Sequence, residues 1–321
     1  MMSTFLHNKF LESLANKFEL RHRPSVLVAV SGGQDSLCLM KLFLDVKGQF
    51  FNRIGIIHID HQWREDTVEN TSHLVNLIGA IKTQSYFYQI QEGKYSEHEA
   101  REVRYQIILE AANKYNYSFI ATAHNSNDRL ETFLQNTLRG SSPDNLNSLI
   151  WNRALTNRIR LVRPLIDIPR TEISWFCRHY YLPIWSDNTN IFYSKTRNRM
   201  RQEMIPYIKL YFQPKIEQQI SNFLDKINSD SDYLKQNTIK LYLQIKHPYL
   251  VAINYHKLLK QHRSIQERVV QIFLEHNTHM HCENTVSSRI IEFLDHKLNN
   301  NVLYESFQIK VNKNWIYICH I

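Results

Sequence analysis

The sequence predicts an α/β fold: a parallel sheet with helices on its faces, then a smaller, mostly helical domain ending in a β-hairpin. Three observations carry this. Between residues 25 and 165, short β-branched runs alternate with longer segments of three- and four-residue apolar spacing. Strand, helix, strand, repeated in this way, closes as a parallel sheet with crossover helices. Past Arg170 the short runs nearly cease, and the final "LYESFQIKVNKNWIYICHI" alternates on either side of "NKN", a hairpin signature.

Taken in order, "MMSTFLHNKFLESLANKFEL" reads as an amphipathic helix and lacks the apolar centre of a signal peptide. "SVLVAV" (25–30), "RIGIIHI" (53–59), "SYFYQI" (85–90) and "SFIATA" (118–123) are short, apolar and continuous, as strands covered on both faces are. Between them "LCLMKLFLDV", "EDTVENTSHLVNLIGAI" and "EHEAREVRYQIILEAANKY" carry helical periodicity. "RTEISWFCRHYY" and "SKTRNRMRQEMIPYIKLYF" read as helices joined by the loop "LPIWSDNTN". "YFQP" then breaks the pattern, which places the domains at 1–212 and 213–321. The second is mostly helical pattern apart from "YLVAINY" and the hairpin.

The chain of 321 residues has a formal charge of +9, which favours an anionic partner, nucleic acid being the commonest. Its four cysteines (Cys38, Cys177, Cys282 and Cys319) are scattered with no CxxC, so a reducing compartment is expected. No run approaches the length of a membrane span. The oligomeric state is left open, a homodimer included.

Chemistry enters at "VLVAVSGGQDSLCLMKLF", where a strand stops at two glycines and restarts as a helix. A helix start offers free N–H groups and a partial positive charge, so it attracts phosphate. Paired glycines let those N–H groups turn inward as a nest. Ser31, Gly32, Gly33, Gln34 and Ser36 are the candidate cradle, and Asp35 belongs there only with Mg2+ between it and the phosphates. A tight strand-to-helix turn with no ligand is the alternative; "GxxxxGK[ST]" is absent.

"SGGQDS" after "VLVAV" resembles the PP-loop of the N-type ATP pyrophosphatases. "HIDHQWR" (58–64), "EHEAREVRY" (97–105), "ATAHNSNDRLETFLQNTLRGS" (121–141), "RPLIDIPRTEI" (163–173) and "WSDNTNIFYSKTRNRMRQEMIP" (185–206) follow in the order and spacing of the tRNA(Ile)-lysidine synthetase family. The match covers the first two thirds of the chain. "GGQDSLCL" and "SNDRLET" look most like the cyanobacterial and plastid branch, which implies a plastid stroma, with a bacterial cytoplasm as the alternative. The resemblance implies an adenine nucleotide α-hydrolase-like fold and a two-step reaction. ATP adenylates O2 of the wobble cytidine in a tRNA(Ile) with a CAU anticodon, and the ε-amine of L-lysine displaces AMP.

The resemblance also distributes roles. Asp128 and Glu131, three apart on one helical face, would hold lysine and accept its proton; an ordinary acidic helix start is the alternative. His58 would line the nucleotide pocket, since His58 and His61 alone make a poor zinc site. By their spacing, one turn apart, Arg101 and Arg104 could clamp phosphates or the adenylated base, with solvated charges paired to Glu97 or Glu102 as the alternative. Arg139, Lys195, Arg197, Arg199 and Arg201, with Tyr193 and Trp185 near the cluster, would meet tRNA, as would the C-terminal domain. A solvated face is the competing reading of that cluster. His124 is read as structural.

Three residues depart from the commoner family pattern "HHxDDQxET": Asn125 for histidine, Asn127 for aspartate and Arg129 for glutamine. Ser142 and Asn145 stand where glycines are usual. Asn127 would be a weak, neutral Mg2+ ligand, leaving Asp35 with more of that work. The competing functions are a sulfur-installing PP-loop tRNA modifier and a tRNA-binding relative without turnover. The scattered cysteines disfavour the first, and the intact "SGGQDS" and "NDRLET" the second.

Overall fold

Val26, Leu27 and Val28 are wholly buried, yet they serve two different cores. Val26 and Val28 pack with Leu37, Phe43, Ile54, Ile56 and Phe176, whereas Leu27 packs with Ile57, Ile108, Ala112 and Ile120. Successive side chains of a strand point to opposite faces, so this split is a sheet covered on both sides. Each such side chain contributes about 1.5–3 kcal/mol on leaving water.

The structure, a computed structural model, describes residues 3–17, 23–60, 67–90, 96–147, 149–185, 196–280, 282–295, 302–304 and 307–320. The chain forms two compact units, Met1–Asp225 and Lys226–Ile321. In the first, α1 (Phe5–Lys17) precedes β1 (Ser25–Ala29), α2 (Gln34–Asp45), β2 (Arg53–Asp60), α3 (Thr67–Ile81) and β3 (Gln84–Gln89). Next come α4 (Glu97–Lys114), β4 (Phe119–Ala121), α5 (Ser126–Leu138), α6 (Pro143–Leu146), β5 (Asn152–Ala154), β6 (Arg160–Val162) and α7 (Arg170–His179). Then α8 (Thr196–Arg199), a π-helical turn (Met200–Met204) and α9 (Ile205–Tyr211) follow, and α10 (Ile216–Ile245) begins in the first unit and ends in the second.

The strand order is β3-β2-β1-β4-β6-β5. All neighbours run parallel except β5 against β6. From β1 the chain moves outward through β2 and β3, then restarts on the other side with β4. The switch point therefore lies between β1 and β4, where the loops leaving the two strands diverge into a crevice. The segments "SGGQDS" and "HNSNDRLET" flank it.

The four strands expected from the sequence are present within a residue or two at their ends. The β5–β6 hairpin is an addition. Its strands are three residues each, "NRA" and "RLV", with arginines in both, too short and too charged for an alternation signal. The sequence places its domain boundary at 212, just beyond α9. The first compact unit runs on to Asp225 because Glu217, Ser221 and Asp225 of α10 engage α5.

The second unit holds β7 (Ala252–Asn254), α11 (Tyr255–Leu259), α12 (Arg263–Thr278), α13 (Asn284–Asp295), β8 (Val302–Tyr304), β9 (Phe307–Asn312) and β10 (Trp315–His320). The expected hairpin is β9–β10, turning at Lys313 with φ 51°. Its flanks recruit β8 and β7, giving an antiparallel sheet ordered β7-β10-β9-β8. Val269, Phe273, Leu274, Ile290 and Ile291 from the helices pack on Ile309 and Ile316 of the sheet.

Candidate active site

The turn after β1 is forced by Gly32. Its φ is +87°, and a Cβ there would lie 2.6 Å from Asn70 Oδ1 and 3.3 Å from Leu74 Cδ1. Only glycine is unstrained in that left-handed region, and only glycine fits the space. Gly33 is the N-cap of α2 and supplies no side-chain cap, so the first N–H groups of the helix stay available to an anion. Ser36 shapes the loop: its hydroxyl accepts from Ser31 N–H at 3.2 Å and donates to the Gly33 carbonyl at 2.8 Å. Ser31 Oγ lies 3.2 Å from the same hydroxyl. Gln34 contributes its backbone only, since its side-chain amide donates to Ser174 Oγ on α7 at 2.8 Å.

Asp35 is the unsatisfied member of this turn. Its Oδ1 is buried and has no hydrogen-bond partner among the described residues. Burial pushes its carboxyl up to about 6; Asp128 and Glu131 add to the rise, against Arg170 and Arg201. An acceptor oxygen without a donor, beside an anion cradle, is a fitting donor for a divalent cation. His58 lies behind the turn and is buried. Its Nδ1–H donates to the Val30 carbonyl at 2.8 Å, and Nε2 is 3.4 Å from Thr71 Oγ1. Burial holds its pKa below the usual histidine value. Both ring nitrogens are thus engaged, and the side chain braces β2 against the exit of β1. Its HxxH companion, His61, lies outside the described residues. Among those residues no three His, Cys, Asp or Glu side chains assemble as a metal site.

On the other flank of the crevice, α5 opens with a capping box. Asn125 Oδ1 accepts from Asn127 N–H at 3.0 Å and from Asp128 N–H at 3.2 Å, while Asp128 Oδ2 accepts from Asn125 N–H at 3.0 Å. The asparagine that replaces the usual histidine is therefore the cap. Asp128 and Glu131 do share a face, and it is filled. Arg197 donates to Asp128 Oδ1 at 3.1 Å and to Glu131 Oε2 at 2.7 Å. Arg201 donates to Glu131 at 2.6 and 3.0 Å and to Asp128 Oδ1 at 3.3 Å. Glu131 is fully buried, so a guanidinium partner is what keeps its charge tolerable there.

The basic cluster is thus divided. Arg197 and Arg201 turn inward to the carboxylates, Arg199 is exposed and pairs with Glu203 at 3.4 Å, and Lys195 and Tyr193 lie outside the described residues. Arg139 is exposed at the C-cap of α5. Trp185 closes on the glycine turn through its backbone, its N–H donating to the Gly32 carbonyl at 3.2 Å.

His124, at the exit of β4, is held neutral by burial and by Arg163, Arg101, Arg104 and Arg197 around it. Thr122 Oγ1 lies 3.0 Å from its Nδ1. Arg101 is exposed and Arg104 half-buried, their guanidinium carbons 5.8 and 5.6 Å from the Tyr105 ring centre. Burial lowers the pKa of Arg104. Two further arginines lie in this region: Arg163 was given no role from the sequence, and Arg129 was noted there only as a departure from the family pattern. Arg163, 2 % exposed, donates to the Ile150 carbonyl at 2.7 Å. Arg129, 4 % exposed, belongs to a network behind α5. Both ends of the Asn127 amide are engaged: the nitrogen donates to Glu217 Oε1 at 3.1 Å and the oxygen accepts from Arg170 N–H at 3.0 Å.

Residues 2–208 match the family model described as "PP-loop domain". A protein of Gracilaria tenuistipitata var. liui named "tRNA(Ile)-lysidine synthase, chloroplastic" is 44 % identical over 321 residues, 99 % of this chain and 100 % of that protein. One of Nostoc sp. named "tRNA(Ile)-lysidine synthase" is 37 % identical, over 86 % of this chain and 84 % of its own length. Among solved structures, the U34-tRNA thiolase NcsA of Methanococcus maripaludis aligns with a TM-score of 0.57 at 16 % identity, covering 69 % of this chain and 77 % of that one. That last likeness is one of fold.

Proposed function

The chain belongs to the tRNA(Ile)-lysidine synthase family of PP-loop proteins, and we propose that it builds lysidine in two steps at the crevice between β1 and β4. In the first, O2 of the wobble cytidine of a tRNA(Ile) with a CAU anticodon attacks the α-phosphorus of ATP. The O–P bond forms and pyrophosphate leaves. In the second, the ε-amine of L-lysine attacks C2; the C–N bond forms, the C–O bond breaks and AMP departs. Activation is needed because a pyrimidine carbonyl oxygen leaves poorly and AMP leaves well.

The roles follow from position. Backbone N–H groups of the turn Ser31–Ser36 cradle the phosphates. Asp35 holds Mg2+, which when bound neutralises charge at the pyrophosphate oxygens. Arg101, Arg104 and Arg163 supply the anion-attracting wall around the neutral His124, and His58 supports the turn from behind. Asp128 and Glu131 receive the lysine ammonium, whose ordinary pKa near 10.4 requires a proton acceptor before attack. Arg139 and Arg199, with Lys195, meet the tRNA backbone, as does the C-terminal domain. Arg197 and Arg201 organise the carboxylates and exchange with incoming lysine and RNA. Relatives named chloroplastic support a plastid stroma as the setting.

The observation that carries this reading is full-length similarity joined to a crevice whose two lips are the phosphate turn and the paired carboxylates. The test is a reaction of the purified chain with ATP, Mg2+ and a tRNA(Ile) transcript bearing CAU. Pyrophosphate and an adenylated tRNA should appear without lysine, and lysidine and AMP once lysine is added. A requirement for a sulfur donor, or tRNA binding with no pyrophosphate under any condition, overturns it. Replacing Arg139 or Arg199 by alanine should weaken tRNA binding and reduce its salt slope by about 1 each.

A further inference from the structure

The residues behind α5 are not bystanders. Arg129 is almost wholly buried, and its two terminal nitrogens find four acceptors. Nη1 donates to Asp167 Oδ1 at 3.0 Å and to Ser221 Oγ at 2.7 Å. Nη2 donates to Asn147 Oδ1 at 3.4 Å and to Asp225 Oδ1 at 2.6 Å. Asp167 is anchored in turn by Lys17 at 2.7 Å and by the Ser221 hydroxyl at 2.9 Å. Two residues earlier, Asn127 bridges Glu217 and the backbone of Arg170. Glu217, Ser221 and Asp225 are spaced by four on α10, so one polar stripe of that helix receives two of the three departures from the family pattern, Asn127 and Arg129.

Asp128 and Glu131 belong to the same helical turn and point to the opposite side, at Arg197 and Arg201. The first turn of α5 is therefore held by charge-assisted hydrogen bonds on two sides. A fork-shaped guanidinium fixes direction as well as distance, and that of Arg129 is itself buried, with Ser221 and Asn147 buried beside it and Asp167 and Asp225 reaching it from the partly exposed rim. Rotation of α5 about its axis would move the carboxylates relative to the crevice, and a misplacement of ~1 Å costs about 100-fold in a reaction that depends on orientation.

We propose that Arg129, with Asn127 beside it, is a positioning residue for the lysine step: through the Glu217–Ser221–Asp225 stripe of α10 it sets where Asp128 and Glu131 present their oxygens. This rests on the reading that those carboxylates receive lysine. Arg129 touches neither nucleotide nor amino acid, so its effect divides the two half-reactions. Adenylation depends on the turn after β1, which Arg129 does not contact.

The experiment uses the full chain with Arg129→Gln, Arg129→Lys, Ser221→Ala, Asp225→Asn and Glu131→Gln. Each variant is measured for pyrophosphate release without lysine, for KM and kcat in lysine, and for thermal melting. Arg129→Gln should raise the lysine KM about ten-fold or more while pyrophosphate release stays within about two-fold. Arg129→Lys should recover part of the loss, and Ser221→Ala and Asp225→Asn should shift the lysine KM the same way by less. An unchanged lysine KM in Arg129→Gln, or an equal loss in both half-reactions, overturns the proposal. Should Arg129→Gln fail to fold, parental lysine KM in both α10 variants overturns it equally. Glu131→Gln separates the premises: if it keeps the parental lysine kinetics, the lysine-site reading itself falls. If it loses them while Arg129→Gln does not, only the positioning role falls.

Discussion

The turns leaving β1 and β4 flank the same crevice, and they treat their polar groups in opposite ways. The first leaves them open: Gly33 provides no side-chain cap, and Asp35 Oδ1 is buried without a donor among the described residues. The second closes its carboxylates, with a reciprocal cap at Asn125 and Asp128 and two arginines on Asp128 and Glu131. An open turn must be completed by what it binds. A closed one must surrender a contact to bind anything. The first suits phosphates and a cation, and the second suits a ligand that competes with guanidinium for carboxylate, as an alkyl ammonium does.

The contrast is broken most severely at Asp35. Asp35→Asn should reduce pyrophosphate release by about 10²–10³-fold, since it removes the cation's donor. It should also stabilise the fold. The unfolded carboxyl titrates at 3.8 and the folded one at about 6. Between those values the folded state holds a proton that the unfolded state has released, so stability falls as pH rises through that window. At pH ~8 without Mg2+ the asparagine variant should exceed the parent by about 1–3 kcal/mol in thermal melts, a margin that shrinks toward pH ~4. Mg2+-dependent nucleotide binding by the parent should weaken as pH drops through about 6, a trend calorimetry would follow.

Breaking the closed turn should cost less in the first half-reaction and more in folding. Glu131→Gln should slow lysidine formation about 100-fold with pyrophosphate release largely kept. It should lower stability by about 1–3 kcal/mol, because two guanidinium groups lose their buried partner. Gly32→Ala sharpens the comparison from the open side. The strain at φ +87° and the crowding by Asn70 should cost about 1–2 kcal/mol and weaken ATP binding by about ten-fold, read by melting and calorimetry. The smallest effect is expected at Asn125→Ala, about 1 kcal/mol of stability from the lost cap with both half-reactions near parental rates.

Much of this was legible along the chain. Short continuous apolar runs gave the strands, and the two helix starts were readable from "SGGQDS" and "NSNDRLET" because glycines and caps act within four residues. The three departures at 125, 127 and 129 were visible as well, though not what they do. Asn127 reads as a diminished metal ligand when only its neighbours are considered. Its true partner, Glu217, lies 90 residues on. The basic cluster likewise reads as a surface for RNA until Arg197 and Arg201 are seen to reach Glu131, 66 and 70 residues back.

By itself the sequence determined which residues open each helix, which faces of each strand are apolar and which chemical groups stand at the two turns, since all of these follow from short-range sterics and periodicity. Tertiary structure alone decided which charges meet. The sheet order sets the two turns on either side of one crevice, and α8 to α10 return to place arginine on carboxylate and a polar stripe on Arg129. Such pairings cross dozens of residues, and no local rule of spacing encodes them; they exist because a buried charge must find its partner wherever folding brings one.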